Sequence, residues 1–128
     1  MKLLIEASVG EVLDKITILR IKRDRIEDPA KLANVEAELS SLEASLLESL
    51  ELGPEMRAVF ESLQQINLEL WEIEDRIRGC ERRKDFGEDF VALARQVYIT
   101  NDRRAAAKRR INVLSGSRLV EEKSYAEY

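Results

Sequence analysis

Two cationic residues stand in the fourth predicted helix at positions where its apolar stripe would place leucine-like side chains. The stripe starts at Phe90 and proceeds in steps of four and three, because an α-helix turns about 100° per residue. The same steps lead to Asn101, Arg104 and Lys108, and the stripe becomes apolar again at Ile111. Arginine offers a planar fork to a carboxylate or phosphate, and lysine offers a point charge. The pattern therefore predicts anion-binding chemistry between helices.

An unpaired cation inside a helical bundle is costly, so Arg104 and Lys108 require partners. Removing one unpaired charge from water costs several kcal/mol, which is a large part of a domain's net stability. One alternative is an internal salt-bridge network that fixes the register of the helices, with Glu11 and Glu74 as candidate acidic partners. The other alternative is a pocket that takes an anionic ligand. The excess of cations over these two carboxylates favours the pocket.

Polar stripes on two other predicted helices could complete the site. On the first helix, Glu11, Lys15 and Lys22 form a charged strip between two apolar sectors, which is typical of a helix packed on both sides. On the third helix, Asn67 and Glu74 lie beside the apolar seam, and Trp71 between them is interpreted as a core residue. The predicted ligand-binding site has eight members: Lys15, Lys22, Asn67, Glu74, Asn101, Arg104, Lys108 and Asn112.

The elements that must position these residues are four long helices, so we predict an all-α bundle in a single domain of residues 1–128. Apolar spacing places the helices at about 9–27, 30–50, 55–78 and 88–114. A capping box at Ser8 starts the first helix, and Asp28 before Pro29 starts the second.

The second and third helices carry narrow seams with alternating steps of three and four residues. Gly53-Pro54 separates them by a short turn, and together these features predict an antiparallel helical hairpin at the centre of the bundle. Gly79 is expected to close the third helix, and Ser115-Gly116-Ser117 the fourth. The short C-terminal tail, residues 118–128, has no periodicity that fixes its conformation.

Composition narrows the chemistry available. The chain has no histidine and one cysteine, Cys80, which excludes serine–histidine and cysteine–histidine nucleophiles and the usual zinc sites. It has no glycine-rich phosphate loop, and we predict neither a metal nor a cofactor.

No apolar run approaches the roughly 20 residues that span a bilayer, and no signal peptide is recognisable. We therefore expect a cytoplasmic protein without a membrane partner.

The charges are distributed unevenly along the chain, because residues 1–75 are acidic and residues 76–128 are basic. The two parts could pack together, or the basic part could face an anionic partner.

Several longer motifs coincide with the polar stripes. They are SVGE at 8–11, DKITI at 14–18, LWEIED at 70–75, YITNDRR at 98–104 and EEKSY at 121–125. In these motifs, which span nearly the whole chain, the protein resembles a family of small bacterial proteins catalogued as a domain of unknown function. The resemblance implies no defined activity. It does imply an association with glycosyltransferase and surface-polysaccharide functions, and so a ligand related to sugar nucleotides.

Three classes of function remain open at this point. The principal hypothesis is a binding module that holds a phosphate- or carboxylate-bearing small molecule in the polar inter-helix site. The alternative is a helical interaction or adaptor protein, which could pair with a partner helix or form a homodimer, and whose polar seam is only a salt-bridge network. An enzyme similar in kind to helical chorismate mutases, which bind a dicarboxylate through Arg and Lys, is supported only by analogy. Nucleic acid is disfavoured because the net charge is −4 and aromatic residues are sparse.

Overall fold

The computed structural model describes all residues from Met1 to Tyr128 and contains four α-helices and no strand. They are α1 (Val9–Arg25), α2 (Pro29–Ser49), α3 (Pro54–Arg83) and α4 (Glu88–Ser115). The predicted all-α, four-helix architecture is confirmed. None of the four helices has the length and apolar content that crossing a membrane would require.

The helix starts follow their sequence signals, with one difference at Ser8. Its hydroxyl oxygen accepts from the backbone N–H of Glu11 at 3.1 Å, but the Glu11 side chain bonds Lys108. Only half of the predicted capping box therefore forms. Asp28 caps α2 by accepting from the N–H of Ala30 at 2.9 Å.

The end of α3 differs from the prediction, because Gly79 lies inside the helix. The helix continues to Arg83 and stops at Lys84, which adopts a left-handed conformation with φ of 56°. The apolar seam explains the extension, since Cys80 is buried against Ile73 of α3 and Leu93 of α4. Burial of this additional turn outweighs the weak helix propensity of a single glycine.

Helix α1 occupies the centre of the arrangement and contacts each of the other three helices, while α3 and α4 contact each other. The predicted central pairing of α2 with α3 is therefore incorrect: α2 packs on α1, and the long antiparallel pair is α3 with α4. The reason is that α1 is apolar on more than one side. Its residues Leu13, Ile16 and Leu19 join a cluster that takes side chains from all four helices.

Two separate apolar clusters set the position of the polar residues. The larger cluster includes Leu63 of α3 and Ile111 of α4, and the smaller one lies near the α3–α4 connection around Ile73 and Leu93. Of the polar residues buried in α3 and α4, Asn67 and Thr100 fall between these clusters along their helices, whereas Lys108 and Asn112 lie beside Ile111 of the larger cluster. A polar layer thus runs where α1, α3 and α4 meet, from the space between the two clusters to the flank of the larger one.

Helices α1 and α4 approach most closely at Gly10. Its backbone N–H donates to Oδ1 of Asn112 at 2.7 Å. A Cβ atom at Gly10 would lie 2.6 Å from the backbone oxygen of Lys108 and 2.8 Å from Oδ1 of Asn112. The absence of a side chain is therefore required for this contact.

Replacing Gly10 with alanine should destabilise the protein by about 2 kcal/mol, because overpacking a fitted contact costs about 1–3 kcal/mol. The matched control is Gly79→Ala in the interior of α3, where the nearest atom is the flexible end of Arg83 at 3.3 Å. That change should instead stabilise by about 0.5–1 kcal/mol through helix propensity. Urea unfolding of both variants measures the difference. Equal effects of the two substitutions would contradict the close approach.

Candidate functional site

The polar layer is built around Asp14, which lies on α1 and is 2% exposed. Arg104 of α4 donates to both of its carboxylate oxygens, from Nε at 2.9 Å and from Nη2 at 2.5 Å. The side-chain amide of Asn67, on α3, donates to the same carboxylate at 2.9 Å. A single buried carboxylate therefore ties three helices together.

The amide residues of α3 extend this network along α1. Nδ2 of Asn67 also donates to the hydroxyl of Thr17 at 2.7 Å. That hydroxyl donates to the backbone oxygen of Asp14 at 2.7 Å. Gln64 donates to the backbone oxygen of Thr17 at 3.4 Å, and its own buried side-chain oxygen has no hydrogen-bond partner.

One turn further along α4, Lys108 is held between two carboxylates. Its ammonium lies 2.9 Å from Glu11 of α1 and 2.8 Å from Glu121 of the tail, and its side chain is only 10% exposed. Asn112 follows and accepts from the backbone of Gly10. The line Arg104, Lys108, Asn112 on α4 therefore faces the first turns of α1.

These contacts determine the ionisation of the cluster. Burial acts to raise the pKa of Asp14, but hydrogen bonds from Arg104 and Asn67 and the nearby positive charges leave it below its usual value. Burial acts to lower the pKa of Lys108, but its bonds to Glu121 and Glu11 leave it raised. The hydrogen bond from Lys108 lowers the pKa of Glu121. All of these groups are charged near neutral pH.

The number of carboxylates around Arg104 and Lys108 distinguishes the two alternatives from the sequence, an internal salt-bridge network and a pocket for an anionic ligand. Arg104 and Lys108 are met by three carboxylates, those of Asp14, Glu11 and Glu121. The acidic partners that the first alternative requires are therefore present, and the predicted excess of cations is not. Sequence analysis identified Glu11 among them, but not Asp14 or Glu121.

Four of the eight predicted site residues converge in this layer: Asn67, Arg104, Lys108 and Asn112. Asn101 lies about one turn from Arg104 and lines a neighbouring groove. The other three do not join the layer.

Lys15 pairs with Glu38 of α2 at 3.1 Å. Glu74 pairs with Arg78 on the exposed side of α3 at 2.5 Å and does not reach Arg104 or Lys108, contrary to expectation. Lys22 is half-buried near the end of α1. The α1 face that meets α4 carries Gly10 and Asp14, so Lys15, one residue on, is rotated towards α2.

An open groove lies between α4 and the tail, beside the polar layer. Its volume is about 890 Å³, and its lining residues are Val97, Tyr98, Asn101, Asp102, Lys123, Tyr125, Ala126, Glu127 and Tyr128. The Tyr128 hydroxyl donates to Asp102 at 2.7 Å, and its ring meets that of Tyr98 edge to face, with centroids 5.1 Å apart. Along the tail, Glu121 and Glu122 pair with Lys108 and Arg109. The tail is thus fixed at both ends of the groove.

The groups that the site presents are ion pairs, amides, carboxylates and aromatic rings. Nowhere do three thiol or carboxylate side chains come together in a way that could hold a metal ion. The polar layer holds a closed set of ion pairs, and the groove presents aromatic faces with amide and carboxylate groups at its wall. Shape and charge in the groove are therefore the features available for contact with another molecule.

Arg104→Ala should destabilise the protein by about 3–5 kcal/mol, because it leaves the Asp14 carboxylate buried without its cation. The double variant Arg104→Met with Asp14→Leu should recover most of this loss, since it removes both charges and keeps the volume apolar. Arg78→Ala, which breaks an exposed pair, serves as control and should cost less than about 0.5 kcal/mol. The readout is urea unfolding. A loss below about 1 kcal/mol for Arg104→Ala would show that the buried pair is not a main support of the fold.

Comparison of the chain with models of protein families, with curated proteins and with solved structures finds no match in any of the three. The resemblance to the bacterial family of small helical proteins, which rests on the motifs at 8–18, 70–75, 98–104 and 121–125, therefore stays a prediction.

Proposed function

We propose that the protein is a helical interaction module whose groove between α4 and the tail binds an extended segment of a partner chain. The observation that carries this proposal is the contrast between the two polar regions. The cations of the inter-helix layer are all engaged by carboxylates, whereas the groove is open and exposes aromatic surface.

The lining of the groove suits a segment that combines apolar side chains with a positive charge. Tyr98 is 43% exposed and Tyr125 79% exposed, so both rings can cover aliphatic side chains. Tyrosine is among the residues that contribute most at interfaces. Asp102 and Glu127 outnumber Lys123 along the groove, which favours a cationic residue in the bound segment.

The backbone of the tail also suits an extended partner. Residues 118–128 take part in no backbone–backbone hydrogen bond. Apart from the C=O of Leu119, which accepts from the Ser117 hydroxyl, their N–H and C=O groups can therefore pair with an extended chain, as in recognition by strand addition. Such pairing supplies affinity from the main chain, and the tyrosine faces supply selectivity.

The total surface supports association with another molecule. The chain exposes 9158 Å², whereas a folded monomer of 14.7 kDa is expected to expose about 6,900 Å². A standard protein–protein interface removes about 800 Å² from each partner. The excess is large enough to contain an interface of ordinary size.

A fluorescent peptide with one lysine before three aliphatic residues should bind the protein, and Tyr98→Ala should weaken the binding at least tenfold. The reason is the loss of one aromatic wall of the groove. Leu47→Ala, at an apolar residue of α2 that is 81% exposed, is the matched control and should leave the affinity unchanged. A peptide with glutamate in place of lysine should bind more weakly. Equal affinity of the lysine peptide for the unmodified protein and for Tyr98→Ala would argue against the groove as the binding site.

A second candidate is the predicted binding of an anionic small molecule, related to sugar nucleotides, at Lys108. The observation in its favour is that one of the two carboxylates on Lys108 comes from the tail rather than from a helix. The hydrogen bond with Asp14 raises the pKa of Arg104 against the lowering effect of burial, and the charges of Glu11 and then Glu121 raise it further. A phosphate or carboxylate of a ligand could take the place of this side chain, with the groove holding the remainder.

Glu121→Gln should increase the thermal stabilisation produced by a panel of sugar nucleotides, phosphosugars and dicarboxylates, because it removes the competing charge. A ligand at 100 times its dissociation constant stabilises by about 2.7 kcal/mol. Glu122→Gln, which affects the neighbouring exposed pair with Arg109, is the control, and Lys108→Ala should abolish the response. No stabilisation of any of these proteins would rule out this candidate.

We propose that this is a bacterial protein of the cytoplasm. The single cysteine, which cannot form an internal disulfide, supports the location, and the family resemblance supports the bacterial origin.

A further inference from the structure

The segment before α1 carries three large apolar side chains that are mostly exposed. Leu3 is 80% exposed, and Leu4 and Ile5 are each 85% exposed. The segment has no regular secondary structure and no backbone–backbone hydrogen bond before Ser8. Contiguous apolar residues at this exposure are unusual in a monomer and mark sites of association.

The flanks of this segment are polar and one of them is fixed. Lys2 precedes the apolar residues, and Glu6 follows them and pairs with Arg118 at the start of the tail. The position of Glu6 therefore sets where the apolar residues can reach.

The segment is too short to lie in the groove of its own chain. Helix α1 begins beside Asn112, because Gly10 bonds that residue. Tyr98, in the middle of the groove, is about 21 Å from Asn112 along α4 at about 1.5 Å per residue. From Ser8 the backbone of Leu3 can extend at most about 18 Å, that of Leu4 about 14 Å and that of Ile5 about 11 Å. The backbone of none of these three residues therefore reaches the level of Tyr98 in the same molecule.

We propose that residues Lys2–Ile5 of one molecule bind the groove of a second copy, and that the second copy returns the contact. This inference rests on the proposed function of the groove and names its partner. The chemistry is complementary: three aliphatic side chains meet the rings of Tyr98 and Tyr125, and Lys2 meets Asp102 or Glu127. Neither the segment nor the tail has backbone–backbone hydrogen bonds, so the two can align as strands.

Reciprocal exchange gives a closed twofold dimer, since each molecule offers one segment and one groove. The Glu6–Arg118 pair remains within each chain and serves as the point from which the segment leaves. The exchange also covers three of the most exposed apolar side chains of the isolated chain.

Sedimentation equilibrium of the whole chain tests the exchange. The unmodified protein should be a dimer at about 50 μM, and Leu3→Ser/Leu4→Ser/Ile5→Ser should raise the dissociation constant at least tenfold. Circular dichroism checks that the serine variant keeps its helices, which is expected because the three side chains are at least 80% exposed. Leu47→Ser is the matched control for removal of an exposed apolar residue and should leave the dimer intact.

A mixing experiment gives the sharper result. The serine variant and Tyr98→Ala should each be largely monomeric alone. When the two are mixed, they should form a heterodimer, because the Tyr98→Ala protein supplies an intact segment and the serine variant supplies an intact groove. Formation of this heterodimer would support the exchange.

Three results would overturn it. The first is a monomer at all concentrations up to about 200 μM. The second is a dimer that Tyr98→Ala disrupts but the serine variant does not, which would overturn the exchange and leave the groove as a binding site for another segment. The third is a dimer that neither variant affects, which would place the interface elsewhere.

Discussion

The arrangement of the helices depends on the need to satisfy one carboxylate, that of Asp14, inside the bundle. A buried carboxylate without partners would cost several kcal/mol, which is a large part of a domain's net stability. Its partners come from α3 and α4, so both helices must stand in one register against α1. Apolar packing alone would tolerate shifts between heptad-like seams, whereas the bidentate contact with Arg104 has one geometry. The network therefore specifies the arrangement more than it strengthens it.

The same network reaches the surface through Lys108. Its ammonium joins Glu11 of α1 to Glu121 of the tail, so the segment that forms one wall of the groove is fixed to the buried layer. A non-helical tail could otherwise take many conformations, and its ordering has an entropic cost. The shape of the groove is thus linked to the ion pairs of the interior, and a change in one would alter the other.

Sequence reasoning located the four helices and the anomalous face of α4, because both appear as departures from a simple period. Arg104 and Lys108 were recognisable since they interrupt an apolar stripe. Asp14 was not, because an aspartate followed by Lys15 resembles an ordinary exposed pair. The position of α1 between α2 and the α3–α4 pair also could not be predicted from the apolar seams of the helices. A seam indicates which face of a helix is buried, but not which helix covers it. Glu121 lies in a segment without periodicity, so nothing in the sequence connected it with Lys108.

The central position of α1 has a consequence for how the chain acquires its structure. The residues that complete its environment, Arg104 and Asn112, are separated from Asp14 and Gly10 by 90 and 102 positions. Most small helical proteins fold through contacts between neighbours in sequence and are correspondingly fast. Here α1 leaves the ribosome before α4, and its Asp14 carboxylate stays without its cation until the 90 residues that lead to Arg104 have followed. Helices α1 and α2 alone would expose Asp14 together with half of an apolar cluster, so the native state forms late and as a unit.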